Sequence, residues 1–284
     1  MLPWQSSGGI PNELLDRKLP QLAGMRTFAS PDRDRLQRLL ERADEVVAVD
    51  EGWARRATPP DRFLVMRHDM DHDVDNAVRF AQWESEIGVR STYFVQQREW
   101  YWGPATGGGP SAYLLRRLDR IAALGHEIGL HNNAIALGLL TGQDPFRILE
   151  RDLAALRRHG FAIRGSVGHG DAICRQVGFY NNELFSECRR PMYDAPDRLL
   201  EYRPRGGTVH RWQLRQRPMA DFGLEYEANF LPHTIYLSDT GGRWSQPFDE
   251  AAAEFDRAGG FLQLLVHPVW WELDGAAAGA GELR

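Results

Sequence analysis

The sequence predicts an α/β fold in which a parallel sheet closes as a single barrel. Three observations predict it. Strand-like and helix-like segments alternate at ~30-residue spacing, the pattern of right-handed βαβ units. No composition shift marks a domain boundary in the 284 residues, so one large domain fits better than two. Acids and histidines gather where the predicted strands end, and that is the side on which α/β barrels carry their sites.

Residues 1–28 read as an irregular N-terminal segment and 275–284 (GAAAGAGELR) as a disordered tail, leaving 29–274 for the barrel. Ser30-Pro31-Asp32 should cap a helix running to about Val47. Arg62 to Arg67 is a short buried strand. Asp75 to Ile87 is helical, with Ala77, Phe80, Ala81 and Trp83 near helical spacing, and Gly88 ends it. Ser91 to Val95 is a strand of β-formers. A Trp/Gly/Pro-rich loop (100–110) leads to a helix that ends near Leu124. Glu127 to Leu130 is a strand, and Asp144-Pro145 opens a helix to Arg158 that Gly160 closes. Phe161 to Val167 is expected as a strand, followed by a weakly periodic stretch (170–232) read as long loops or a lid. Thr234 to Leu237 is a strand, Asp249 to Ala258 a helix, and Phe261 to Val266 the last strand.

Composition excludes several chemistries. The net charge is −5, which argues against a nucleic-acid or anionic-membrane surface. No apolar run reaches the ~18 residues of a spanning helix. No secretory signal is visible at the start, and the only cysteines are Cys174 and Cys188, so reduced thiols and a cytoplasmic location are expected. Of 34 basic residues, 33 are Arg and one is Lys18, in a segment ill suited to a buried Schiff-base lysine. No P-loop, complete dinucleotide fingerprint or nucleophile elbow is present.

Five strand ends carry the polar residues: Arg67-His68-Asp69-Met70-Asp71-His72-Asp73, His131-Asn132-Asn133, Gly168-His169-Gly170-Asp171, Ser238 to Trp244, and His267-Pro268. Three carboxylates within five residues repel one another unless something positive sits between them. If the segment is extended, Asp69, Asp71 and Asp73 point to one side and His68 points away. Asp73 and Asp75 suit the first turn of the next helix. Asp69 and Asp71 precede it and fit a metal-plus-base role. His131 is then a candidate ligand, His126 lies at the opposite end of its strand as a structural group, His68 is a supporting group, and His72 would stand behind the ligands. His267, pinned at a strand end by Pro268, either caps the strand or acts as a general acid. Trp270 and Trp271 either pack the C-terminal loop or form a stacking wall for a ring. Arg243 suits an anionic group of a substrate.

At these residues the sequence resembles the polysaccharide deacetylase (NodB-homology, carbohydrate esterase family 4) superfamily, in particular its cytoplasmic branch linked to surface-polysaccharide biosynthesis. The resemblance covers roughly 60–270 and rests on RHDMDHD (67–73), GHEIGLH (125–131), LSDTGGRW (237–244) and LLVHPVWW (264–271). It implies a distorted (β/α)7 barrel. It further implies Asp69 as catalytic base, Asp71 as metal ligand, His131 as the first histidine ligand and His267 as the acid. One departure is clear. The family's second motif is His-x-x-x-His, and position 135 here is Ile. His169, between two glycines after the next strand, is the candidate third ligand.

The expected activity is metal-assisted hydrolysis of an N-acyl group, acetyl first, on an amino sugar. Its cofactor would be a divalent ion, zinc above others, and its substrate a small carbohydrate held by Arg243, Trp270 and Trp271. Two rivals remain. One is a non-catalytic carbohydrate-binding barrel that has lost a ligand. The other is a different barrel hydrolase: an amidohydrolase, although no His-x-His occurs, or a glycosidase, although its two acids would stand ~5–9.5 Å apart across the site.

Overall fold

The computed structural model describes residues 26–97, 99–102, 109–188, 197–205 and 207–273. Most of the irregular N-terminal segment, the C-terminal tail and the centre of the loop at 100–110 therefore lie outside the described residues. The fold is mixed α/β, with a parallel sheet and eight α-helices among the described residues. The strands are β1 (Glu45–Val47), β2 (Phe63–Asp69), β3 (Thr92–Gln96), β4 (Glu127–Asn132), β5 (Gly165–Gly168), β6 (Leu199–Tyr202), β7 (His210–Gln213), β8 (Tyr226–Glu227), β9 (Ile235–Ser238) and β10 (Phe261–Val266). Strand order along the main sheet is β8-β5-β4-β3-β2-β10-β9, with β1 on β2. No helix among the described residues is long and apolar enough to cross a membrane.

The chain divides into two compact units, residues 1–93, 111–128 and 232–284, and residues 94–110 and 129–231. In the first, β1 and β10 pair with β2, and β10 pairs with β9, all in parallel register. Side chains alternate along these strands. Leu64 and Met66 of β2 and Leu262, Leu264 and Val266 of β10 enter a core with Leu36, Phe80, Phe248 and Phe255. Those four come from helices α1 (Ser30–Leu40), α3 (Val74–Glu86) and α8 (Phe248–Ala258); α2 (Val49–Arg55) and α4 (Ala112–Ala123) complete the unit's helices. The other face of the strands receives Arg67, Asp69 and Gln263, all buried.

The first helix stops at Leu40, short of the expected Val47. Val46 and Val47 are β-branched, and β1 pairs with Leu64 and Val65 of β2, so sheet pairing takes residues that helical spacing had claimed. Asp32 caps as expected, its carboxylate accepting from Ala29 N at 3.0 Å.

In the second unit β4, β5 and β8 run parallel, and β6 and β7 form an antiparallel pair. Its helices are α5 (Ala134–Thr141), α6 (Pro145–His159) and α7 (Ala172–Val177). Asp144 caps α6 by accepting from Phe146 N at 2.9 Å, and Gly160, at φ 117°, ends it. The strand expected from Phe161 begins only at Gly165. Before that, Ile163 N closes on Phe161 O and Arg157 donates to Ile163 O at 2.6 Å, so these residues turn the chain back from the helix end. Helix α5 had no sequence signature because residues 134–139 are buried on every side, which erases an amphipathic period.

Gly165 sits where β5 meets β8, and a Cβ there would overlap the Tyr226 ring. Overpacking of this kind costs about 1–3 kcal/mol. Gly165→Ala should lower unfolding stability by at least that much in urea titration, whereas Ala substitution at the open Gly170 should cost little.

Candidate metal centre and acid–base site

The first cluster is built by the end of β2. Arg67 and Asp69 share a face, with Arg67 Nη2 3.7 Å from Asp69 Oδ2 and both buried. His68 goes to the opposite face, as alternation requires. There its Nε2 meets Glu84 Oε1 at 2.7 Å and its ring stacks on Tyr93 at 4.3 Å. Glu84 also accepts from the hydroxyls of Ser91 (2.6 Å) and Tyr93 (2.7 Å). Burial pushes its carboxyl up, but His68 beside it and these donors outweigh burial and hold it below the usual range. His126 donates to Ala81 O at 2.9 Å, and burial lowers its pKa; it is a structural group, as its position predicted.

Beyond Asp69 the extended geometry stops. Asp71 N donates to Asp69 O, Asp73 N donates to Asp71 O, and His72 takes φ 63°. The expected alternation of Asp69, Asp71 and Asp73 therefore fails after the first acid, because two tight turns replace the strand. Asp73 caps α3, accepting from Asn76 N at 2.9 Å, and pairs with Arg26 at 2.5 Å. Asp75 pairs with Arg117 at 2.9 Å. Both have the helix-start role the sequence suggested.

The ends of β9 and β10 set His267 against Asp239. Asp239 is wholly buried and accepts from His267 N (2.9 and 3.0 Å), from His267 Nδ1 (2.6 Å) and from Trp271 Nε1 (2.7 Å). The opposite ring nitrogen, His267 Nε2, lies 4.0 Å from Asp71 Oδ2. Burial disfavours the charged ring, but Asp239, through charge and hydrogen bond, and then Asp71 and Asp69 reverse this and raise its pKa to about 9. Asp239 had gone unassigned; its signal was an acid at a strand end in SDTGGRW.

His131 and His169 meet in the second unit. His131, on β4, has Nδ1 3.1 Å from Val167 O. A carbonyl only accepts, so Nδ1 carries a proton, and the tautomer this selects presents a lone pair at Nε2. That lone pair faces His169 Nδ1 at 3.0 Å, with the rings at 88°. Asp71, His131 and His169 form a possible metal-binding group, each offering one ligand atom, all within 4.8 Å of one another. Ile135, at the position where the resemblance would place a second histidine, is fully buried in α5.

The remaining expected residues are placed less uniformly. Trp271 is fully buried, stacked on Phe28 at 4.7 Å and edge-on to Phe80. It belongs to the packing alternative, because no ring face is open to a sugar. Trp270 is half-buried and Arg243 is exposed. Cys174 and Cys188 are free and buried, and burial, helped by Asp171, pushes the Cys174 thiol up to about 12, away from ligand or nucleophile chemistry at neutral pH. No protein-family model matches the chain, and no curated protein matches it either.

The raised pKa of His267 has a definite sign. A histidine whose folded pKa lies above its unfolded value contributes stability that is complete below about 6.5 and lost as pH rises through about 9. Urea stability of metal-free protein should fall across this window, and His267→Gln should flatten that fall. Asp239→Asn should bring the His267 titration, followed by imidazole NMR, down from about 9.

Proposed function

We propose that the chain is a metal-dependent hydrolase that removes an N-acyl group, acetyl first, from a small amino sugar, on a distorted (β/α)7 barrel of the deacetylase type. The observation that carries this reading is the group Asp71, His131 and His169, with His267 4.0 Å from Asp71. The donor set fits zinc. One carboxylate and two imidazoles leave a fourth position open, as in catalytic zinc sites. Val167 already fixes His131 in the tautomer that offers Nε2. The two histidine nitrogens stand 3.0 Å apart, and two ligands at ~2.05 Å on a tetrahedral ion would stand roughly 3.3 Å apart.

Bound there, the ion would lower the pKa of a water molecule toward ~7 and polarise the acyl oxygen. The protein's own groups do the rest. Asp69, beside Arg67, takes the proton of the attacking water as its oxygen bonds to the acyl carbon. His267, kept protonated at neutral pH by Asp239, gives its Nε2 proton to the nitrogen as the C–N bond breaks. The products are a carboxylate and a free amine, with no covalent intermediate. The strand-end arginine Arg243 and the half-buried Trp270 are the groups proposed to meet the sugar and an anionic substituent, in keeping with a small nucleotide-linked or otherwise phosphorylated substrate.

The test joins metal analysis to acetate release from nucleotide-linked N-acetyl sugars and from chitin oligomers. Expected are one divalent ion per chain, release from the small sugars, and loss of activity with a chelator. Asp69→Asn and His267→Ala should each lower turnover by ~10²-fold or more with the ion retained. Release from oligomers alone would overturn the small-substrate reading. No ion and no release from either would leave a carbohydrate-binding barrel.

A further inference from the structure

Metal-ligating histidines are normally set by the groups around them, and His169 lacks the usual device of a strand. It lies in the loop after β5, flanked by Gly168 and Gly170, where the backbone has most freedom. Something must hold it, and the hydrogen bonds of the second unit show what does. His169 N donates to Asn132 O at 2.9 Å. His169 O accepts from the side-chain amide of Asn181 at 2.8 Å. Asn181 is wholly buried and stands in a short 3-10 turn (Asn181–Leu184) within the weakly periodic stretch.

Both side-chain polar atoms of that residue and its backbone carbonyl are engaged. Its amide nitrogen also donates to Asn133 Oδ1 at 2.9 Å and contacts Cys174 Sγ at 3.2 Å. Its side-chain oxygen accepts from Ala136 N at 3.2 Å, and its backbone carbonyl accepts from Asn132 Nδ2 at 3.0 Å. Asn132 and Asn133 directly follow His131. One side chain thus ties the loop of one histidine to the strand end of the other. Asn133 is itself fixed: its N–H donates to Gln97 Oε1 at 2.8 Å and its amide to Asp171 Oδ2 at 3.1 Å.

We infer that Asn181 is a positioning residue of the metal centre, setting the separation of His131 Nε2 and His169 Nδ1. The inference rests on the metal reading above for its purpose, but the geometry it describes does not need the ion. Asp at 181 could not serve, because a carboxylate would face the His169 and Asn133 oxygens as a fellow acceptor. Removing the amide takes this donor from the His169 and Asn133 oxygens, leaving His169 O the weaker Cys174 Sγ contact at 3.7 Å, and the glycine loop is then held less firmly.

The experiment uses Co²⁺ as the probe and the full chain. Asn181→Ala and the gentler Asn181→Ser are compared with Leu184→Ala, which empties a core position in the same turn and spares every bond of Asn181. The Asn181 variants should bind Co²⁺ about 10–100-fold more weakly than wild type and change its visible absorption. Leu184→Ala, even at an equal loss of melting temperature, should bind within a few-fold of wild type. Whichever Asn181 variant folds is read by this criterion. Wild-type affinity in it, or an equal loss in Leu184→Ala, overturns the inference. In metal-free protein, imidazole ¹⁵N NMR should show the His131–His169 contact in wild type and its loss in the Asn181 variant. If wild type binds no Co²⁺, the metal reading falls while this second measurement still decides the role of Asn181; a contact that persists without the amide overturns it.

Discussion

A carboxylate withdrawn from water must be met by donors, and around Asp239 the chain is arranged to supply them. Left unpaired, such a group would cost several kcal/mol. The register of β9 against β10, Ser238 beside Leu265, brings the next residue of one strand to the end of the other, where the His267 backbone and ring both donate. Trp271 supplies a further N–H, which pins its ring in place. Phe28 stacks on that ring, and the backbone of Thr27 and Phe28 binds Trp270 O. One buried charge therefore fixes a strand register, a histidine orientation and the path of two loops.

The strands and most helices were legible because burial on one side leaves a period in the sequence. What was illegible had lost that period. Helix α5 is apolar all round, and residues 161–164 carry β-formers but spend their backbone on turns and on Arg157. The strand end after β2 was legible as chemistry and not as geometry. Asp69 sits on the strand as alternation implied, while Asp71 lies between two tight turns, the second of which takes His72 into a left-handed conformation, and no pattern of apolar residues announces them. His169 was nominated from a gap in a motif and does join Asp71 and His131 in a possible ligand group. Asp239 and Asn181 went unassigned, since their roles exist only through partners distant in sequence. Trp271 shows the converse: an aromatic at a strand end invites a ligand, but its neighbours were already there to claim it.

Two histidines are set in the same way with opposite results. Each is held at Nδ1 and offers Nε2. His267 is held by a carboxylate, whose charge keeps the ring protonated. His131 is held by the Val167 carbonyl, a dipole without net charge, which selects the tautomer that carries its proton on Nδ1. The choice of backing group separates a proton donor from a lone-pair donor, using one residue type and one orientation.

The carbonyl behind His131 also settles a count of charges. Imidazoles backed by carboxylates share in their partners' negative charge and so soften the ion they bind. Among the three side chains of the possible metal-binding group, Asp71 is the one acid. A dication held among them would keep a net charge of one, concentrated on the side left open. Such a centre would be a strong Lewis acid, favouring an anion over a neutral carbonyl at its open position. A carbonyl-backed histidine would thereby bias the open position toward anionic ligands over neutral ones.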